Sequence, residues 1–104
     1  MPIKENKAIR RRLEKLAGGH LTLGMAIRAT REGAEMSQVG FARKLGVTRS
    51  YLCDLENNRK TVSPAKAAKF AHVLGFSEQQ YVRLALQDAL RRAGLAYTVE
   101  IRTA

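Results

Sequence analysis

The chain has 104 residues, 45% of them hydrophobic, which suits one small domain with its own core. Lysine and arginine number 19 against 9 acidic residues, and the net charge of +10 favours a polyanionic partner. One cysteine excludes an internal disulfide, no Cys/His cluster has metal-ligand spacing, and no apolar run has the length of a membrane span.

Residues 1–17 read as a basic helix. Ile9, Leu13 and Leu16 form a narrow apolar stripe, and Lys4, Lys7, Arg10, Arg11, Arg12 and Lys15 occupy much of the rest. Gly18-Gly19 breaks it. A first domain helix is expected from about Thr22 to Glu32, with Leu23, Ala26 and Ile27 inward and Thr30 or Arg31 beside them. The next begins near Ser37 and keeps Val39, Phe41, Ala42 and Leu45 for the core. Gly46 then reverses the chain, because glycine takes the left-handed conformation without a Cβ clash. Thr48 stands at the N-cap position of a third helix, 48–57, with Leu52 and Leu55 inward. Asn57 to Val62 form a loop. Ser63-Pro64 opens a fourth helix, whose inner face is Ala67, Ala68, Phe70, Ala71 and Leu74. Gly75 ends it. Ser77-Glu78-Gln79-Gln80 is a capping box for a fifth helix that runs to about Ala93. Tyr81, Leu84, Ala85, Asp88 and Arg92 lie near one stripe of that helix. Beyond Gly94 the period becomes two: Leu95, Tyr97, Val99 and Ile101 alternate with Ala96, Thr98, Glu100 and Arg102, which predicts a strand. A lone strand leaves backbone groups open on its edges and calls for a partner.

Two short amphipathic helices joined by a tight glycine turn make a helix-turn-helix, whose second helix can enter the major groove of double-stranded DNA. With Leu52 and Leu55 inward, Arg49, Ser50, Cys53, Asp54 and Asn57 point outward. Arg49 can donate two bonds to guanine O6 and N7, Ser50 can donate or accept, and Asp54 can accept from a cytosine or adenine amino group. Arg43, Lys44, Arg59 and Lys60 are candidates for phosphate contacts, which give affinity without sequence information. Tyr51 either touches the sugar-phosphate or a thymine methyl, or packs against the preceding helix. Cys53 fits packing or groove contact rather than catalysis.

The stretch from about Leu21 to Phe76 resembles the lambda-repressor/Cro-like (XRE-type) helix-turn-helix family. The words that carry it are Ile27-Arg28, Arg31, Met36-Ser37-Gln38, Phe41-Ala42, Leu45-Gly46-Val47-Thr48-Arg49-Ser50-Tyr51-Leu52, Leu55-Glu56-Asn57 and Leu74-Gly75-Phe76. Gly40 and Asn58 depart from the common pattern, and Asn58 can still adopt the left-handed position. The resemblance implies base contacts from Arg49, Ser50 and Asp54, a phosphate bond from Gln38, and an ion pair between Arg31 and Glu56. Thr48, Tyr51, Arg43, Lys44, Asn57, Arg59 and Lys60 would support on the DNA backbone.

The expected architecture is all-α: a five-helix lambda-repressor-like domain with an extra N-terminal basic helix and a single C-terminal β-strand. Residues 1–20 form the arm, 21–76 the DNA-binding domain, and 77–104 a dimerisation element. The function expected is a sequence-specific transcriptional regulator, a repressor acting as a homodimer on double-stranded DNA in the cytoplasm. The rival is a HigA-type antitoxin that also binds a partner toxin. A non-specific polyanion binder is a third reading. No catalytic residues, cofactor, metal or membrane partner are expected.

Overall fold

The computed structural model describes residues 21–104. Among them five helices follow one another: α1 Leu23–Gly33, α2 Gln38–Leu45, α3 Arg49–Glu56, α4 Pro64–Leu74 and α5 Glu78–Arg92. The basic helix expected over 1–17 lies outside the described residues.

Each helix begins at a serine or threonine whose hydroxyl accepts the N–H three residues on. Thr22 accepts from Met25, Ser37 from Gly40, Thr48 from Tyr51, Ser63 from Lys66 and Ser77 from Gln80. These caps satisfy donors that a helix leaves open at its start. The capping box at 77–80 is half made. Ser77 accepts from Gln80 N–H at 3.2 Å, while the Gln80 carbonyl oxygen accepts from Arg83 Nε instead of reaching back. Gly46, at φ 74° and ψ 31°, lets Val47 N–H close on the Ala42 carbonyl at 3.0 Å, so α2 stops and α3 starts within three residues. Asn58 takes the left-handed position expected of it, at φ 60°.

The core gathers one face of every helix. Leu23, Ile27, Phe41, Leu52, Leu55, Phe70 and Leu74 are fully buried, with Leu45, Tyr81 and Leu84 closing around them. Gly24 allows the closest approach of two backbones. A Cβ at this position would land on the Leu55 carbonyl oxygen, so only glycine lets α1 lie against the end of α3. At the start of the same helix, Leu23 N–H donates to Asp88 Oδ2 at 3.0 Å, tying α5 to α1.

Two expectations need correction. Val39 is 52% exposed rather than in the core. It sits two residues before Phe41, about 200° around the helix, and α2 buries the face of Phe41, Ala42 and Leu45. The C-terminal strand is also absent: residues 93–104 form no ladder. A strand needs a second backbone, and the chain supplies a single side chain in its place. Gln87 Nε2 donates to the Tyr97 carbonyl at 2.7 Å, and Val99 N–H donates to Gln87 Oε1 at 2.9 Å. The buried amide thus imitates one rung of a ladder. Further on, Gln79 Nε2 reaches Thr103 Oγ1 at 2.8 Å, so the segment runs back along α5. Val99 and Ile101 are half-buried, whereas Leu95 and Tyr97 stand in solvent.

Candidate nucleic-acid interface

The outer face of α3 is offered to solvent because its inner face is fixed in three ways. Leu52 and Leu55 enter the core, the Leu55 carbonyl meets Gly24, and Glu56 is locked from beneath. Arg31 Nε and Nη2 donate to the two Glu56 oxygens at 2.7 and 2.9 Å, a fork-on-fork pair. Arg31 Nη1 also donates to the Met36 carbonyl, which holds the α1–α2 connection. The Glu56 hydrogen bond pushes the Arg31 guanidinium still further above its already high range. Gln38 Nε2 donates to Glu56 Oε1 at 3.1 Å. An amide nitrogen carries two hydrogens, so Gln38 is braced by the carboxylate and retains one N–H for an anion at the start of α2.

On the outer face, Arg49 and Ser50 occupy the first turn and are exposed. Among the described residues neither side chain has a partner. Thr48 spends its hydroxyl on the cap. Arg43 and Lys44, in the last turn of α2, are exposed beside the turn. Farther along, Asp54, Arg59 and Lys60 come together: Arg59 Nε meets Asp54 Oδ1 at 2.9 Å and Lys60 Nζ meets Oδ2 at 3.5 Å. Arg59 first, and Lys60 with it, holds the Asp54 carboxyl below the usual carboxylate range. Asn57 turns its amide back onto the Cys53 carbonyl at 2.8 Å.

Tyr51 is half-buried and packs against the rim of the core. Two ammonium groups lie over its ring, Lys66 at 4.5 Å and Lys60 at 5.5 Å from the centroid. Lys66 Nζ is also 3.4 Å from the Tyr51 hydroxyl. Tyr51 therefore acts as a post that gathers cations from the loop after α3 and from the first turn of α4. Lys66 had not been picked out in the sequence. Its place two residues after the Ser63-Pro64 start is the signal that puts it at the exposed end of α4.

A capped helix with a polar outer face thus follows a glycine turn and is ringed by cations from α2, the 57–62 loop and α4. A helix-turn-helix family model matches residues 27–81, just over half of the chain. The chain belongs to the lambda-repressor-like helix-turn-helix family. No curated protein sequence matches it. Members of this family bind DNA, and the protein is a DNA-binding transcription regulator in that general sense. The match takes in most of α1, all of α2, α3 and α4, and the start of α5. Among the described residues no helix is long and apolar enough to cross a membrane, and no group of three metal-ligating side chains gathers.

Proposed function

We propose that the protein is a sequence-specific repressor that docks α3 in the major groove and reads a palindromic operator as a homodimer in the cytoplasm. The observation that carries this reading is the exposed, unpartnered pair Arg49 and Ser50 directly after the Thr48 cap. A major groove about 12 Å wide admits one helix, and the first turn of that helix meets the base edges. Arg49 donates to guanine, Ser50 to an adjacent base edge, and Asp54 with its bonded arginine completes the reading face. Arg43, Lys44, Lys60 and Lys66 neutralise phosphates and Gln38 donates a hydrogen bond to one, with Thr48, Tyr51 and Asn57 shaping the surface between them. The protein acts by binding and carries no catalysis or cofactor of its own.

The dimer reading rests on residues 95–102. Gln87 occupies one edge of this segment, and the backbone groups of Ala96, Thr98 and Glu100 on the other edge have no partner among the described residues. Two copies related by a two-fold axis would pair these edges antiparallel. Exposed Leu95 and Tyr97 supply apolar surface to the same seam. A toxin's sheet edge is the rival occupant, as in a HigA-type antitoxin, and co-purification with the product of a neighbouring gene would favour it.

Selection of genomic fragments with the purified protein tests the reading. The expected result is a palindrome with half-sites about 34 Å apart. Arg49→Ala should cost about 1–3 kcal/mol on the preferred site and relax one base position. Equal loss on every sequence would reduce Arg49 to a phosphate contact.

A further inference from the structure

Arg59 lies three residues beyond the end of α3, yet it is built into the reading face. Asn58 turns the backbone at φ 60°, and Arg59 N–H then donates to the Asp54 carbonyl at 2.8 Å. Its own carbonyl accepts from Arg92 Nη2 at 2.9 Å, which anchors the loop to the end of α5. The side chain folds back over α3. Nε donates to Asp54 Oδ1 at 2.9 Å and Nη2 approaches Cys53 Sγ at 3.6 Å. Arg59 is thereby held along its backbone and along one edge of its guanidinium, although its side chain is 59% exposed.

Two consequences follow from that geometry. Asp54 has both oxygens turned to cations, Oδ1 to Arg59 and Oδ2 to Lys60. A carboxylate so engaged is poorly placed to accept from a base amino group. Arg59, in contrast, has spent its Nε edge and keeps the hydrogens at its far end. One hydrogen at Nη1 and the outer one at Nη2 are two parallel donors, the pattern that guanine O6 and N7 accept. An exposed ion pair adds little to folding stability, so its effect lies in ordering a long side chain before it meets the ligand.

We infer that Arg59 reads a guanine in the major groove beside the bases met by Arg49 and Ser50, and that Asp54 is its positioning residue rather than a reader itself. The inference rests on the reading of α3 as the recognition helix. Lys60 takes the adjacent phosphate, which leaves Asp54 to Arg59 alone once DNA is bound.

Selection from randomised duplexes, with the full chain and the variants Arg59→Ala, Arg59→Lys and Asp54→Asn, tests it. Arg59→Ala should lose preference for guanine at one position, by about tenfold or more, and leave the others intact. Asp54→Asn should blur that same position. Arg59→Lys should not restore it, because an ammonium has the charge without the fork. Thermal melting should be unchanged in all three, which separates positioning from a folding defect. A uniform loss in Arg59→Ala would make Arg59 a phosphate contact and overturn the inference. A change in Asp54→Asn at a different position would make Asp54 a reader in its own right, and no change would remove its positioning role; both overturn the inference. If the unaltered protein selects no motif, the recognition-helix reading itself fails and takes this inference with it.

Discussion

Two carboxylates stand two residues apart on α3, and each is bonded to an arginine. Glu56 is 2% exposed, its Arg31 partner 14%, and the pair joins α1 to α3 with Gln38 as a third member. Asp54 is 28% exposed, its Arg59 partner 59%, and the pair joins α3 to the loop that follows it. The chemistry is the same, and the surroundings reverse its meaning. Water screens the outer pair, so it adds little to stability, and it leaves the far end of the exposed Arg59 side chain free for DNA. The inner pair has no water to fall back on, and loss of one partner strands the other. One short helix therefore has a fixed face and an adjustable face, and the fixed one is what gives the adjustable one a defined aim.

Removing Glu56 should break the comparison most visibly. Glu56→Ala leaves Arg31 with an unmatched charge and Gln38 without its acceptor, and should cost about 3–5 kcal/mol in urea unfolding. Asp54→Asn should leave the unfolding midpoint where it is. Equal losses from the two variants would show that burial does not separate the pairs.

The next effect comes from the backbone contact that holds the fixed face. Gly24→Ala drives a methyl into the Leu55 carbonyl and should cost about 1–3 kcal/mol. Gly40→Ala is the control. A Cβ at Gly40 meets only Ser37 Oγ at 3.3 Å and Met36 Cε at 3.9 Å. Alanine favours the helix by about 1 kcal/mol, so this variant should be neutral or more stable. If both changes behaved alike, close approach would not be the reason for Gly24.

These two glycines mark the limit of what the sequence makes legible. Caps, turn glycines and apolar spacing act over three or four residues, and Thr48, Gly46, Leu52 and Leu55 could be read directly. So could the exposed face of Arg49 and Ser50. The Arg31–Glu56 pair spans 25 positions and was available only through the family resemblance. Gly24 looks like a weak helix former until the backbone of Leu55, far along the chain, is set beside it. Gln87 sits among apolar residues as an ordinary polar position, and its partners Tyr97 and Val99 lie past a turn. The tail's period of two put Leu95, Tyr97, Val99 and Ile101 on one inward row, of which Val99 and Ile101 are half-buried while Leu95 and Tyr97 are exposed. Alternation says nothing of where a second backbone would come from, and so it could not predict the absence of a ladder. On α2, only eight residues long, Val39 looked inward because a short helix gives few repeats to fix its phase.

The C-terminal segment offers a third kind of surface, neither locked nor screened but half-paired. Gln87→Ala removes one amide rung and should cost about 1 kcal/mol of stability. Truncation after Gly94 removes the whole proposed seam, and sedimentation should then show monomer where the full chain is a dimer. A shortened chain that stayed dimeric at low micromolar concentration would move the interface to α5 or to the N-terminal arm.

The smallest expected effect concerns Asp88, which bonds α5 to the start of α1 and is partly withdrawn from water. Oδ2 accepts from Leu23 N–H, and Oδ1 is buried without a partner. Burial raises the Asp88 carboxyl above its ordinary value of 3.8, and the Leu23 N–H and the nearby Arg91 only partly oppose this. A raised value means that the folded chain holds this proton more tightly than the unfolded one. The stability linked to that proton is present in full below 3.8 and is lost as pH rises through the folded value. At neutral pH the ionised carboxylate thus weighs against the fold. Asp88→Asn keeps an oxygen for Leu23 N–H and removes the buried charge. The variant should melt slightly higher than the unaltered chain at neutral pH, and the difference should vanish below 3.8. A lower melting point at neutral pH would mean that the positive end of α1 favours the carboxylate by more than burial disfavours it. In that case the Asp88 contact would join the Arg31–Glu56 pair as a charged lock.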